Sequence, residues 1–186
     1  MIVLACFQSF APRLYTYTEN VTKLIHEHDP TLRREFPGAF AAAEFDLGDL
    51  GSAPRLQDND LLHGWRALTA LGTYDSRYGG DIILWDDGWV IRFPPGATIL
   101  FPAALMRYSF VQVQPGEKQY TFSQYLPAGL ARYVGNGYES DAQFERLGTK
   151  KDLEGLRQMR GRRLETAITM YSGIHEYQHG SSLDVD

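Results

Sequence analysis

The middle of the chain, from about residue 40 to 135, is divided into short apolar runs by turn-forming residues. Segments such as GTYDSRYGG, DDG, PPG, QPGE and PAG separate the runs. Short runs rich in β-branched and aromatic residues between such turns are typical of strands. The pattern favours a β-sandwich or small barrel. We predict eight strands over AAAEFDL, WRALTAL, DIILW, WVIRF, ATILF, MRYSFVQV, KQYTFSQY and LARYV.

Helical patterns flank this β region. Residues 15–36 have apolar side chains at helical spacing, with Thr18 or Asn20 as the cap. Asp29 and Pro30 have the residue types of an N-cap and a first helical position, so they predict a second short helix over TLRREF. Helical spacing returns over residues 150–171.

A chain of 186 residues fits one domain. We predict a single domain over 1–186, with a helical N-terminal segment over 1–39, a β core over 40–138 and a helical C-terminal segment over 139–186.

The composition points to a soluble protein with no general affinity for polyanions. The net charge of −5 gives no attraction to phosphate backbones or anionic membranes, and no run approaches the ~18 apolar residues of a membrane span. The single cysteine, Cys6, fits a reducing compartment. The opening MIVLACF has no basic n-region, so we interpret it as a packed segment rather than a signal peptide. We therefore expect an intracellular, cytoplasmic protein.

Two histidine clusters have a bland explanation. His175 to His179 satisfies the zinc pattern H-E-x-x-H, but Gly173 and Gly180 flank it, so no long helix carries it. We interpret that match as chance. His26 and His28 point to different faces of a helix, which favours an exposed helix end over a metal site.

Four motifs follow one another in the β region with close spacing, and further similar stretches precede them. The motifs are GWRALTALG, GGDIILWD, FPPGATILFPA and QPGEKQYTFSQY. On these stretches the chain resembles the fungal, mushroom-type TET/JBP-like iron(II)/2-oxoglutarate dioxygenase-like family. The resemblance implies a double-stranded β-helix, the cupin-like jelly roll of that superfamily.

The chain departs from that family where iron and 2-oxoglutarate bind. Members hold iron through an HxD pair and a distal His, and an Arg binds the 2-oxoglutarate carboxylate. The resemblance puts these slots at Arg55 and Gln57, at Tyr108, and at Gln119; a register shifted by one residue would use Leu56 and Asp58 for the first pair. No histidine lies between His63 and His175. We expect no metal and no cofactor here.

The lost ligands leave two hypotheses about function. In the first, the old site is a pocket for a small organic molecule at the mouth of the jelly roll. Tyr could act as an acid and Arg could stabilise an anion, in metal-free lyase, isomerase or cyclase chemistry. The candidate catalytic residues are Arg55, Tyr108 and Gln119, and the candidate substrate-binding residues are Gln57, Asp58, Trp65 and Tyr74.

In the second hypothesis the chain is a catalytically dead pseudoenzyme. It would serve as a scaffold or form a homo- or heterodimer with a related dioxygenase-fold protein. We favour the pocket, because the substituted groups form hydrogen bonds and are costly to bury without partners. Nucleic-acid oxidation by iron and 2-oxoglutarate would need ligands that the chain lacks, and its acidic charge argues against a nucleic-acid partner.

Overall fold

The architecture is mainly antiparallel β-sheet with flanking helices. The computed structural model describes residues 2–32, 38–48, 50–51, 53–149, 153–155, 158 and 161–173. The strands are β1 Ala42–Asp46, β2 Arg66–Thr73, β3 Ile82–Leu84, β4 Trp89–Ile91, β5 Thr98–Phe101, β6 Tyr108–Phe110 and β7 Lys118–Tyr125. A four-stranded sheet has the order β1-β7-β2-β5, and a three-stranded sheet has the order β4-β3-β6.

The main core lies between the two sheets. Successive side chains of a strand point to opposite faces, so Leu68 and Ala70 of β2 face the three-stranded sheet while Ala67 faces the other way. Leu68 and Ala70 share a buried cluster with Ile82 and Phe110 from that sheet. Every residue of β6 is buried, which fixes the depth of Tyr108 in the fold.

Two N-terminal helices, α1 Ile2–Phe10 and α2 Pro12–His28, cover the other face of β2. Pro12 stands at the start of α2, where its missing N–H costs no hydrogen bond. Phe7 is fully buried and stacks on Phe40 and Trp65, with ring centroids 5.2 and 5.7 Å away. The opening apolar segment is thus a packed helix, as its composition predicted.

The predicted strand over LARYV is wrong, because the segment belongs to helix α3 Ala128–Gly135. A short apolar run does not by itself distinguish a strand from a buried helix. Pro127 starts the helix from an extended conformation. Leu130 and Val134, four residues apart, then pack against the cluster that contains Val21 and Ile25 of α2. The β region therefore ends with β7, and helix occupies the end of the predicted 40–138 core.

The N-terminal helix boundaries also differ from the prediction. Helix α2 begins at Pro12, and Thr18, predicted as a cap, is buried inside it. Asp29 is the C-cap rather than an N-cap. Its carboxylate accepts hydrogen bonds from the backbone N–H and the hydroxyl of Thr31, at 3.0 and 2.5 Å, a local turn that competes with helix. The rest of the predicted second helix, 33–36, lies outside the described residues.

The C-terminal part is helical, in short pieces. Helix α4 Asp141–Leu147 starts at a capping box of Ser140 and Gln143, and α5 spans Arg163–Met170. Part of the predicted 150–171 helix and the whole HEYQH motif lie outside the described residues. None of the helices that are described is long and apolar enough to cross a membrane.

Candidate functional site

Tyr108 lies in the core between the sheets. Its side chain is 1% exposed. The ring packs edge-on against Phe101 and Phe110, at centroid distances of 5.2 and 5.9 Å. A phenol this deep needs a polar partner for its hydroxyl, since an unsatisfied buried hydroxyl is costly.

Gln57 supplies that partner. Its Nε2 donates a hydrogen bond of 2.6 Å to the Tyr108 hydroxyl. The backbone aligns the two, because Arg55 and Tyr108 exchange N–H to C=O hydrogen bonds of 2.9 and 3.0 Å and Gln57 donates to the Ala103 carbonyl at 2.9 Å. Arg55 forms an isolated β-bridge with Tyr108 beside the sheet. The side chains of Arg55 and Gln57 are both directed to Tyr108, while Leu56 between them is 45% exposed.

The Arg55 guanidinium lies over the aromatic rings of the same cluster. Its carbon is 5.2 Å from the Tyr108 ring centre and 5.6 Å from that of Phe110, a cation–π arrangement. Its Nη1 is 3.5 Å from the Asp46 carboxylate. Its Nε is buried and has no hydrogen-bond partner among the described residues. Three of the candidate site residues thus meet here: Arg55, Gln57 and Tyr108.

These groups do not fit iron(II). Guanidinium and carboxamide are poor ligands for this ion, and the Tyr108 hydroxyl is already engaged by the Gln57 amide. In the part of the chain that the structure describes, no group of three or more His, Cys, Asp or Glu side chains could hold a metal ion. We therefore derive no step through iron or 2-oxoglutarate.

Gln119 belongs to a second polar cluster, around Tyr74. Its Nε2 donates to the Gly80 carbonyl at 2.8 Å and to the Tyr74 hydroxyl at 3.3 Å. The Tyr74 hydroxyl in turn donates to the Phe93 carbonyl. Because a carbonyl can only accept, these bonds fix which end of the Gln119 amide is nitrogen.

Burial raises the pKa of Tyr74, and the nearby charge of Asp81 raises it further. The hydrogen bond from Gln119 lowers the pKa but does not cancel the increase. The Tyr74 phenol is thus held neutral. It serves as a link between the two sheets, from Gln119 on β7 to Phe93 after β4.

Glycine at position 80 is a steric requirement of this cluster. Gly80 has a φ of +81°, and an added Cβ would lie 2.3 Å from a Tyr74 ring carbon. Gly79 is equally tight, since its Cβ would lie 2.3 Å from the Gln112 carbonyl oxygen. The Gly79–Gly80 pair that begins the GGDIILWD motif therefore lets the chain pass under the Tyr74 ring and present the Gly80 carbonyl to Gln119.

A cavity of about 510 Å³ lies beside Gln119. Apolar and amide side chains line it, among them Leu50, Phe110, Gln112 and Gln119. A shallower groove of about 570 Å³ lies along the neighbouring surface and includes Tyr74. The first is the size of a small-molecule site.

The turn between these two spaces is braced by Glu117. Its two carboxylate oxygens accept hydrogen bonds from the backbone N–H groups of Asp75 and Gln114, at 2.8 and 2.9 Å. The turn therefore holds its shape through a residue that the sequence did not single out.

The structure does not bring Asp58 and Trp65 to either cluster. Asp58 is exposed in a turn. Trp65 packs with Phe7 and the N-terminal helices. The seven candidate residues therefore divide into an Arg55–Gln57–Tyr108 group, a Gln119–Tyr74 group, and these two outlying positions.

Sequence reasoning missed a buried ion pair on the inner face of β2. Arg66 forms two hydrogen bonds to the Asp60 carboxylate, at 2.9 and 2.8 Å, and one to Glu44 at 3.1 Å. Its guanidinium also lies 4.0 Å from the Tyr125 ring centre. Burial by itself would lower the pKa of Arg66, but its bonds to Asp60 and the Asp60 charge raise it. The sequence contained a signal for this buried charge, because Arg66 has the two-residue spacing to Leu68 and Ala70 that puts all three on one face of a strand.

Comparisons with known proteins identify no family for this chain. No family model matches it, and no curated protein matches it. Among solved structures it is similar, at a TM-score of 0.45 and 12% identity, to NgTET1 in complex with 5mC DNA. The similarity covers 67% of this chain and 52% of that one, so the chain spans about half the length of this neighbour. NgTET1 is a TET-family 2-oxoglutarate dioxygenase, a weak structural neighbour.

Proposed function

We propose that this protein binds a small organic molecule, without a metal, in the cavity beside Gln119. The observation that carries the proposal is Gln119, which is 8% exposed and lines a cavity of about 510 Å³. Bonds from its amide nitrogen to the Gly80 carbonyl and the Tyr74 hydroxyl hold the amide in one orientation. An oriented amide at the wall of a cavity of this size favours a small-molecule ligand that forms hydrogen bonds.

The lining residues indicate the chemistry of the ligand. Leu50 and Phe110 offer apolar surface, and Gln112 and Gln119 offer amides. Both carboxylate oxygens of Glu117 accept hydrogen bonds within the protein. Lys118 and Glu117 also line the cavity and bring one charge of each sign. A molecule without net charge, with one apolar face and hydrogen-bonding groups, fits this lining best.

Binding is better supported than catalysis. Tyr108, the candidate acid, is 1% exposed and does not line the cavity. The Tyr74 proton is donated to the Phe93 carbonyl, so it too is engaged. Metal-free lyase, isomerase or cyclase chemistry would need an acid or base with access to the ligand.

We further propose that the two sheets are the halves of a double-stranded β-helix. In this proposal the chain is a divergent relative of the mushroom-type TET/JBP-like family that has lost its iron and 2-oxoglutarate ligands. The ordered motifs support it, since GGDIILWD and QPGEKQYTFSQY supply the Gly80 and Gln119 that meet in space.

The pseudoenzyme is the second candidate, and a specific observation favours it. The hydrogen bond from Gln57 to Tyr108 closes the position where the resemblance puts iron. A scaffold would need only this packing and no ligand. The two candidates therefore differ in whether the cavity beside Gln119 is used.

Mass spectrometry of small molecules released from the purified protein tests the choice, followed by a thermal-shift screen of neutral metabolites. We expect a ligand that Gln119→Leu no longer retains. Gln124→Leu is the matched control, since Gln124 lies on the same strand but on the opposite face. A protein that releases nothing and binds nothing in the screen would favour the scaffold. A ligand retained equally by both variants would place binding elsewhere.

A further inference from the structure

Strand β4 is an apolar edge of the three-stranded sheet. It lies at one end of the order β4-β3-β6. Trp89 is 60% exposed and Val90 is 62% exposed, and Trp85 in the preceding turn is 45% exposed. The Trp85 indole is directed to β6, where it donates to the Ser109 hydroxyl at 3.0 Å, so Trp89 and Val90 are the exposed apolar side chains of the edge strand itself. Exposed apolar side chains on an edge strand mark an interaction surface.

The hydrogen bonds of the sheet show which backbone groups of β4 are free. Trp85 donates to the Arg107 carbonyl and Val111 donates to the Asp81 carbonyl, so Ile83 directs its N–H and C=O toward β6. The N–H and C=O groups of successive residues point to opposite edges of a strand. The N–H and C=O groups of Ile82 and Leu84 therefore form hydrogen bonds with β4.

Their partners in β4 are Ile91 and Trp89. It follows that the N–H and C=O of Val90, the residue between them, point away from the sheet. An edge strand with such outward groups is a template for another strand.

We infer that β4 pairs with β4 of a second copy of this chain, antiparallel and about a two-fold axis at Val90. Because Val90 has the outward groups, Val90 must face Val90 of the second copy in a hydrogen-bonded pair. Trp89 then faces Ile91 of the second copy in the closer, non-hydrogen-bonded type of pair. The arrangement is isologous and closes as a dimer. It is independent of the cavity beside Gln119.

The charges at the two ends of the strand complement each other in this register. Asp87 precedes the strand and Arg92 follows it, and both are exposed. Neither forms an ion pair within the described part of the chain, although Arg92 is near enough to help lower the pKa of Asp75. Antiparallel pairing brings the Asp87 end of one copy beside Arg92 of the other. Two such contacts form, one at each end.

The short strand limits the strength of this dimer. Only three residues form β4, and Pro94 after it has no N–H to donate. Such a small contact is typical of reversible association rather than an obligate dimer. We expect a monomer–dimer equilibrium that responds to protein concentration and weakens with salt.

Sedimentation velocity of the full chain, from low to high micromolar concentration, tests the proposal. We expect Val90→Lys to abolish the dimer. Ile168→Lys is a matched control, because Ile168 on α5 is 63% exposed against 62% for Val90 and the substitution is the same. We expect that control to dimerise like the wild type. Equal thermal midpoints of the two variants would show that Val90→Lys still folds.

A charge exchange tests the register. Asp87→Arg alone would put two positive groups together at each end of the dimer and should reduce association at least tenfold. Adding Arg92→Asp to it restores opposite charges in the dimer, so the double variant should regain the dimer. A wild-type chain that stays monomeric throughout, a dimer that survives Val90→Lys, or a double variant no better than Asp87→Arg would each overturn the proposal.

Discussion

Gln57 donates a hydrogen bond of 2.6 Å to the Tyr108 hydroxyl, which joins two of the positions where the family resemblance would have iron ligands. The bond satisfies a phenol that is 1% exposed. It lets Tyr108 take part in the packing between the two sheets.

Tyr108→Phe removes that hydroxyl and leaves the Gln57 amide without its acceptor. We expect a loss of about 1 kcal/mol in the free energy of unfolding, the usual net value of such a bond. For a chain of this size that lowers the thermal midpoint by roughly 2–4 °C. Tyr78→Phe is the control, because Tyr78 is 64% exposed, and its midpoint should stay unchanged. An unchanged midpoint in Tyr108→Phe would show that the bond contributes nothing.

Asp60→Asn breaks the buried ion pair with Arg66, whose side chains are 4% and 3% exposed. Removal of Asp60 leaves the buried Arg66 guanidinium with only the half-exposed Glu44 as a counter-charge, so we expect a loss of about 3 kcal/mol by chemical denaturation, the lower end for a broken buried pair. Asp75→Asn, which breaks the exposed pair with Arg77, should change little. The double change Asp60→Leu with Arg66→Met should recover part of the loss. Equal effects of the two Asp→Asn variants would contradict this account.

Gly80→Ala should destabilise the protein by about 2 kcal/mol or more, through backbone strain at a φ of +81° and a Cβ 2.3 Å from the Tyr74 ring. Gly88→Ala shares the strain, with a φ of +69°, but meets no atom within 4 Å. We expect about 1 kcal/mol there. The difference between the two losses in the free energy of unfolding, measured by chemical denaturation, gives the cost of the contact with Tyr74. Equal losses would mean that the Tyr74 ring moves aside freely.

Stability should fall as the solution is acidified through the titration of His63. Burial lowers the pKa of His63 below its usual 6.5, so the unfolded chain binds a proton at a higher pH than the folded chain does. The stabilising contribution is therefore present above about pH 6.5 and is lost as pH falls through the folded pKa. Thermal midpoints between about pH 7 and pH 5 should fall less steeply in His63→Gln than in the wild type. Parallel curves would exclude this role for His63.

Iron(II) or manganese(II), with 2-oxoglutarate, should give no site-specific heat in calorimetric titration of the wild type, because Arg55, Gln57 and Tyr108 are unsuited to the ion. The triple change Arg55→His, Gln57→Asp and Tyr108→His supplies the missing ligand types at positions that the structure brings together, and we expect it to bind iron(II). Micromolar binding by the wild type that Tyr108→Phe abolishes would mean that the phenol is a ligand.

The sequence by itself determined most of the strands. Seven of the eight predicted strands overlap a strand of the described structure, because alternation and Gly/Pro turns are local properties of the chain. The LARYV segment was misassigned because its short apolar run satisfies both periods, and only the surface offered by Val21 and Ile25 decides for a helix.

Only the tertiary structure decided how the candidate residues group. Arg55 and Tyr108 are 53 positions apart and meet through a backbone bridge, and Gln119 meets Tyr74 because Gly80 lets the chain pass closely. Trp65 packs with the N-terminal helices instead, because it contacts Phe7 of α1 on the outer side of β2, the side to which Ala67 also points. Such contacts depend on which sheet faces each strand presents to the other sheet and to the helices. That is a property of strand order and register across the whole chain, and no local pattern encodes it.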